Sequence, residues 1–284
     1  MSEKFELSRR KALGGLATIG LAGAGAGLGT SAYFSDEESF ADNELTAGEL
    51  NLLVDYWTSV DQGSATGNTG STAGSGTIDG DPATTQYQIA DVKPGDSGFL
   101  VFCPKIVDNP AWLWVASSGV TDFENGMTEP EMEVDDSGPA DIPTEETNGE
   151  GDGELSEAIE VTVSYCEYAG GADGDRSDPA NYSTLHEMDN PGDYTLADLG
   201  TDLQSGFLLD PDPGTADTQA YPASGDTETQ TGPCLCIEWE IPTTVGNEIQ
   251  TDSVEFDIEF YTEQERHNPS PDNPYNSTTS TNGT

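Results

Sequence analysis

The sequence predicts an all-β fold, a jelly-roll-like β-sandwich with one short helix and long acidic loop insertions. Three observations lead there. Val254, Phe256, Ile258 and Phe260 alternate with Glu255, Asp257 and Glu259, the period-two pattern of a strand with one wet face. Segments 49–57, 86–92, 98–103, 111–117, 159–166 and 234–241 behave alike, and Gly, Pro, Asn or Asp bounds each of them. Helical spacing, by contrast, is convincing only once after the N-terminus, at Leu196, Leu199 and Leu203 within 195–204. Many short strands with turn punctuation argue for a sandwich or jelly roll, and the helix is expected to pack across an open end.

Charge narrows the function classes. The 284 residues carry 54 Asp plus Glu against 8 Lys plus Arg, a net charge of −46, and 33% are hydrophobic. A nucleic-acid-binding surface is excluded, because neutralising phosphates requires clustered Lys and Arg. Few apolar residues and high net charge also mark disorder. Here, however, the 4 Trp, 9 Phe and 10 Tyr lie mostly in the strand-like blocks, with polar residues filling the gaps. Acids spread over the whole chain suit a protein soluble in molar salt, where the Debye length shrinks to about 3 Å and self-repulsion is screened.

Along the chain, residues 1–31 read as an export signal. Arg9, Arg10 and Lys11 form a basic start, and Leu13 to Leu28 is an uncharged Ala, Gly and Leu run too short and Gly-rich for a membrane span. Ser8-Arg9-Arg10 followed by Leu13 resembles a twin-arginine signal; an ordinary Sec-type start is the alternative. Gly29 and Ser31 place cleavage between Ser31 and Ala32, so export machinery and a signal peptidase are expected partners, with membrane attachment only through an uncleaved signal. Residues 32–44 form an N-terminal segment, and 45–264 form a single sandwich domain.

That domain carries three insertions. The first, 58–85, is rich in Gly, Ser and Thr and reads as a flexible surface loop. The second, 121–153, is dense in acids and reads as a solvated loop. The third, 169–192, includes Asp173-Gly174-Asp175-Arg176-Ser177-Asp178, whose alternate oxygen ligands suit calcium but lack the Gly and distal Glu of an EF-hand. Pro94-Gly95 is a turn between strands. Residues 265–284 are rich in Pro, Asn, Ser and Thr and are expected to be a disordered tail. Sequons stand at Asn181, Asn276 and Asn282.

Four cysteines, Cys103, Cys166, Cys234 and Cys236, fit an oxidising compartment. Cys234 and Cys236 share one face of an extended segment, where closure on each other is geometrically poor. Each is therefore expected to bridge to one of Cys103 and Cys166, in an order left open; a zinc site is the competing reading, against which the spacing of one intervening residue argues. No metal or cofactor site and no catalytic residues are assigned. The two histidines, His186 and His267, form no H-E-x-x-H, and no G-x-S-x-G, P-loop or dinucleotide fingerprint occurs.

Several segments together carry a family resemblance. Ala32-Tyr33-Phe34-Ser35-Asp36 after a small residue, then Leu45-Thr46-Ala47-Gly48-Glu49-Leu50-Asn51-Leu52, resemble the maturation region of the TasA/camelysin family, with Leu45 where members carry Phe and Glu49 where they carry Thr. Ala90-Asp91-Val92-Lys93-Pro94-Gly95-Asp96 is similar to the family's D-L-K-P-G-D turn, the strand Phe99 to Cys103 follows it, and Asn109 to Val115 stand where members have an N-x-G-x-L-x-L strand. Segments 155–165, 194–199, 237–247 and 251–260 follow in family order. The resemblance implies a secreted subunit of an extracellular filament or biofilm matrix fibre, a homo-oligomer built by donor-strand complementation, and the missing catalytic motifs argue against an enzyme. Ala32 to Asn43 would be the donor and Phe34 and Phe40 its anchors. A fold-back of this segment onto its own domain is the structural alternative. The alternative functions are a monomeric secreted or surface binding module and a camelysin-type metalloprotease.

Overall fold

The computed structural model describes residues 50–63, 74–79, 85–86, 92–125, 131, 153–188 and 193–276. Among them two antiparallel sheets face each other as an all-β sandwich. The first runs β2 (Gly74–Asp79), β1 (Leu52–Asp61), β4 (Ser97–Ile106), β10 (Cys234–Glu240), β7 (Glu160–Tyr168) and β8 (Tyr182–Glu187). The second runs β3 (Thr85–Gln86), β11 (Ser253–Gln264), β5 (Ala111–Ala116) and β9 (Phe207–Leu209), with β6 (Val120–Phe123) also on β11. The chain changes sheet at β2 to β3, β3 to β4, β4 to β5, β6 to β7, β8 to β9, β9 to β10 and β10 to β11, the interleaving that lets two sheets share one core.

Alternation decides which side chains meet. Val54, Leu100, Phe102, Val161, Val163, Leu235 and Ile237 project inward from the first sheet, and Leu113, Val115, Leu209 and Ile258 from the second, all within one buried cluster. Each such apolar side chain contributes about 1.5–3 kcal/mol on full burial. Gly98 has a structural reason to be glycine, since a β-carbon there would collide with the ring of Trp239 on the neighbouring strand.

Helix α1 (Leu155–Ala158) is a single turn, and α2 (Leu196–Gln204) is the expected helix. Thr195 Oγ1 accepts from Asp198 N at 3.3 Å, and Thr195 N donates to Asp198 Oδ2 at 3.1 Å. This capping box satisfies orphan amides and places an acid in the first turn, where the helix dipole favours it. Leu196, Leu199 and Leu203 turn one face into the core. Past the helix, Gly206 has a φ of 68°, a conformation that glycine adopts at least cost.

Four expectations need correction. Strand β1 runs on to Asp61, and Gly74–Asp79 pairs with it from Leu53 to Thr58, so the first insertion contains sheet as well as loop. Of the strand expected over 86–92, Gln86 pairs with Asp257 while Val92 lies outside any strand, and 87–91 are outside the described residues. The third insertion contains β8, paired with β7. Residues 265–276, expected to be disordered, pack on the outer side of the second sheet. There Trp112 Nε1 donates to Asn268 O at 2.8 Å, and Tyr275 Oη donates to Glu259 Oε1 at 3.0 Å. Trp112, and Tyr261 with its ring 6.4 Å from that of Tyr275, give this segment an aromatic surface to pack on.

Candidate functional site

The first sheet carries a second buried cluster on its outer face. Antiparallel register sets Cys103 of β4 across from Cys234 of β10, and Cys166 of β7 diagonal to Cys236. Disulfides join Cys103 to Cys234 and Cys166 to Cys236, with Cα separations of 4.2 and 6.0 Å. The second separation lies inside the usual range for a disulfide and the first falls just short of it. The structure thus supplies the pairing order that spacing left open. The bonds staple three adjacent strands across 131 and 70 residues of chain, and Phe99, Val101, Trp57 and Tyr182 pack round them. Beside this cluster Lys105 Nζ lies 2.6 Å from Asp55 Oδ2.

At one end of the sandwich, carboxylates converge. Strand β6 pairs with β11 through Phe123 and Ser253, so the next residues outward, Glu124 and Asp252, come opposite one another. Glu154, just before α1, joins them, and one carboxylate oxygen from each of the three lies within 4.8 Å of the others. Glu124 and Glu131 are 1% and 0% exposed. Glu154 N donates to Asp252 Oδ2 at 2.7 Å, Thr251 Oγ1 to Glu131 Oε2 at 3.4 Å, and the Ser156 amide and hydroxyl to Asp122 at 2.9 and 2.6 Å. Thr251 has a φ of 82°, an uncommon conformation for a β-branched residue, and Asn125 Nδ2 bonds its carbonyl at 3.1 Å.

Burial pushes the carboxyl of Asp252 up to about 7, against the hydrogen bond from Glu154 N, and the charges of Glu154, Glu131 and Asp122 push the same way. Asp122 is also raised by burial, opposed by its bonds from Ser156. Two ionised carboxylates at this spacing repel by about 3 kcal/mol in an effective dielectric near 20. The arrangement can therefore share protons or hold a hard divalent cation, for which three oxygens supply half or less of a calcium shell. The second insertion, expected to be a solvated loop, instead begins with β6 paired to β11 and has Glu124 and Glu131 buried. No signal by residue type marks these few among 54 acids.

The other predicted residues are scattered. Ser31, Ala32, Phe34, Phe40 and Asn282 lie outside the described residues. Asn181 is half-buried, with Nδ2 donating to Asp175 O at 2.8 Å, while Asn276 is exposed. In the loop weighed for calcium, Asp175 caps Ser177 and Asp178 caps Ala180. His186 sits exposed on β8 and His267 exposed beyond β11.

The sheet edges complete the picture. The six residues of β5 are all buried, yet β9 pairs with only Leu113 to Val115 on its far side, and Ala111 bridges to Tyr221. Phe207 of β9 is 43% exposed and Leu185 of β8 is 52% exposed. No helix among the described residues is long and apolar enough to cross a membrane. No family model matches the chain, and no curated protein matches it.

Proposed function

We propose that the chain is a secreted structural protein, the subunit of an extracellular filament or biofilm matrix fibre. Ala32 to Asn43 of one copy adds as a strand to a sheet of the next. The observation that carries this reading is the short, uncharged edge at β9, Phe-Leu-Leu, with Phe207 exposed beside it. An edge strand presents unpaired amides and carbonyls to an incoming chain. The other long edges are less receptive: β2 is Gly-rich and polar, and β7–β8 is irregular between Tyr165 and Cys166 with His186 and Glu187 on the edge strand. A donor carrying Phe34 and Phe40 brings two anchors worth about 1.5–3 kcal/mol each on full burial. Two buried disulfides suit assembly in an oxidising, extracellular compartment. Negative-stain microscopy of the secreted protein in molar salt is the test. Filaments are expected; monodisperse monomers at every concentration would replace this reading with that of a binding module.

A further inference from the structure

The disulfide cluster has a cover built from the third insertion. Between β7 and β8 the chain leaves the first sheet, crosses its outer face and returns, with a 3-10 turn at Pro179–Asn181. Arg176 is the point of attachment: its guanidinium stands 4.8 Å from the centre of the Trp57 ring and 4.2 Å from that of Tyr168. Arg176 is half-buried, and a cation held between two aromatic faces is held more firmly than one in the open. Ser59 Oγ of β1 donates to Ser177 O at 2.7 Å, and Tyr182 Oη donates to Arg176 O at 2.9 Å. Within the crossing, Asp175 Oδ1 accepts from the amide and hydroxyl of Ser177 at 2.9 and 2.7 Å. Tyr182 lies 5.2 Å from Phe99 and 5.3 Å from Tyr168, ring centre to ring centre. The crossing hugs Tyr168 so closely that a β-carbon on Gly174 would strike its hydroxyl and the Gly170 carbonyl. Beneath all this, none of the four cysteines is more than 2% exposed.

We propose that residues 169–181 form a strap that seals both disulfides from external thiols, and that Arg176 is its latch. A chain with 8 basic residues among 54 acids places one of them between two rings, over the bonds that tie β4, β10 and β7 together. Reduction needs an attacking thiolate in line with a sulfur. With the strap closed, that approach exists only after global unfolding. With the strap open, it exists in the folded protein.

Dithiothreitol supplies the test on the full secreted chain in molar salt. Its thiolate attacks one cysteine sulfur, the S–S bond breaks with release of the other cysteine as thiolate, and its second thiolate then displaces the bound cysteine. Each protein disulfide gains two electrons and two protons while one dithiothreitol is oxidised to its cyclic disulfide. Freed thiols are alkylated and counted by mass, and unfolding rates are measured separately by denaturant jump. The wild type should be reduced at its unfolding rate, independent of dithiothreitol concentration. Arg176→Ala should be reduced at least about ten-fold faster and in proportion to dithiothreitol, with its unfolding rate little changed. Gly174→Ala, whose β-carbon drives the strap off Tyr168 while leaving Arg176 in the chain, should show the same kinetics and stands in should Arg176→Ala fail to fold. Arg266→Ala, an exposed control, should match the wild type. Reduction of the folded strap variants at the wild-type rate, or only in step with faster unfolding, overturns the proposal.

Discussion

Single residues show how this chain accommodates its charge. Asp252 is the clearest case, because its carboxyl titrates near 7 in the folded protein and near 3.9 in an unfolded chain. Between those values the folded state holds a proton that the unfolded state has lost. Stability from this group therefore falls as pH rises from about 4 to about 7, and levels above that. Asp252→Asn keeps an oxygen to accept from Glu154 N and removes the titration. Thermal melting at pH 4.5 and 7.5 should show a smaller loss for the variant, which at neutral pH should be the more stable by on the order of 1 kcal/mol. Parallel pH profiles for the two proteins would remove Asp252 from the account. A divalent cation offers the same relief by another route, so calcium should raise the melting temperature of the wild type more than that of Asp252→Asn.

Elements depend on how their faces are used. Helix α2 relies on its capping box, so Thr195→Ala should cost about 1 kcal/mol in chemical denaturation. Segment 265–276 bonds Trp112 through Asn268 O, and a chain ending at Arg266 should lose on the order of 2 kcal/mol and shift its tryptophan emission to the red. An unshifted spectrum would mean that the segment does not cover the Trp112 ring. The same distinction explains what could be read from sequence. Strand β11 was legible because Val254, Phe256 and Ile258 alternate with acids. Strands β2 and β8 were not, because Gly74–Asp79 and Tyr182–Glu187 are edge strands with exposed or half-buried residues on both sides. A strand buried on neither face has no reason to alternate. Cysteine spacing limited the disulfide partners, yet only the strand register across β4, β10 and β7 supplies the order. The carboxylate cluster was illegible for a related reason. Glu124 meets Asp252 through the β6–β11 ladder, and Glu154 through the turn before α1, none of which residue type announces.

For the whole molecule, charge and assembly govern behaviour together. With a net charge of −46, like-charge repulsion should expand the chain in dilute buffer, while molar salt screens it and favours burial. Circular dichroism across a salt series should show the β spectrum strengthening with salt, and a spectrum constant from millimolar to molar salt would refute the charge argument. In the proposed filament, assembly rests on one segment outside the described residues and one edge within them. If Ala32 to Asn43 only folded back on its own domain, its loss would weaken the monomer. If it is a donor, its loss removes the contact between copies and spares the monomer. The decisive measurement pairs filament yield by microscopy with monomer melting, in molar salt, for the secreted chain and for a deletion of 32–43. Filaments should vanish while the melting temperature holds; a deletion that still forms filaments, or one whose monomer melts well below the parent, would contradict donor-strand assembly.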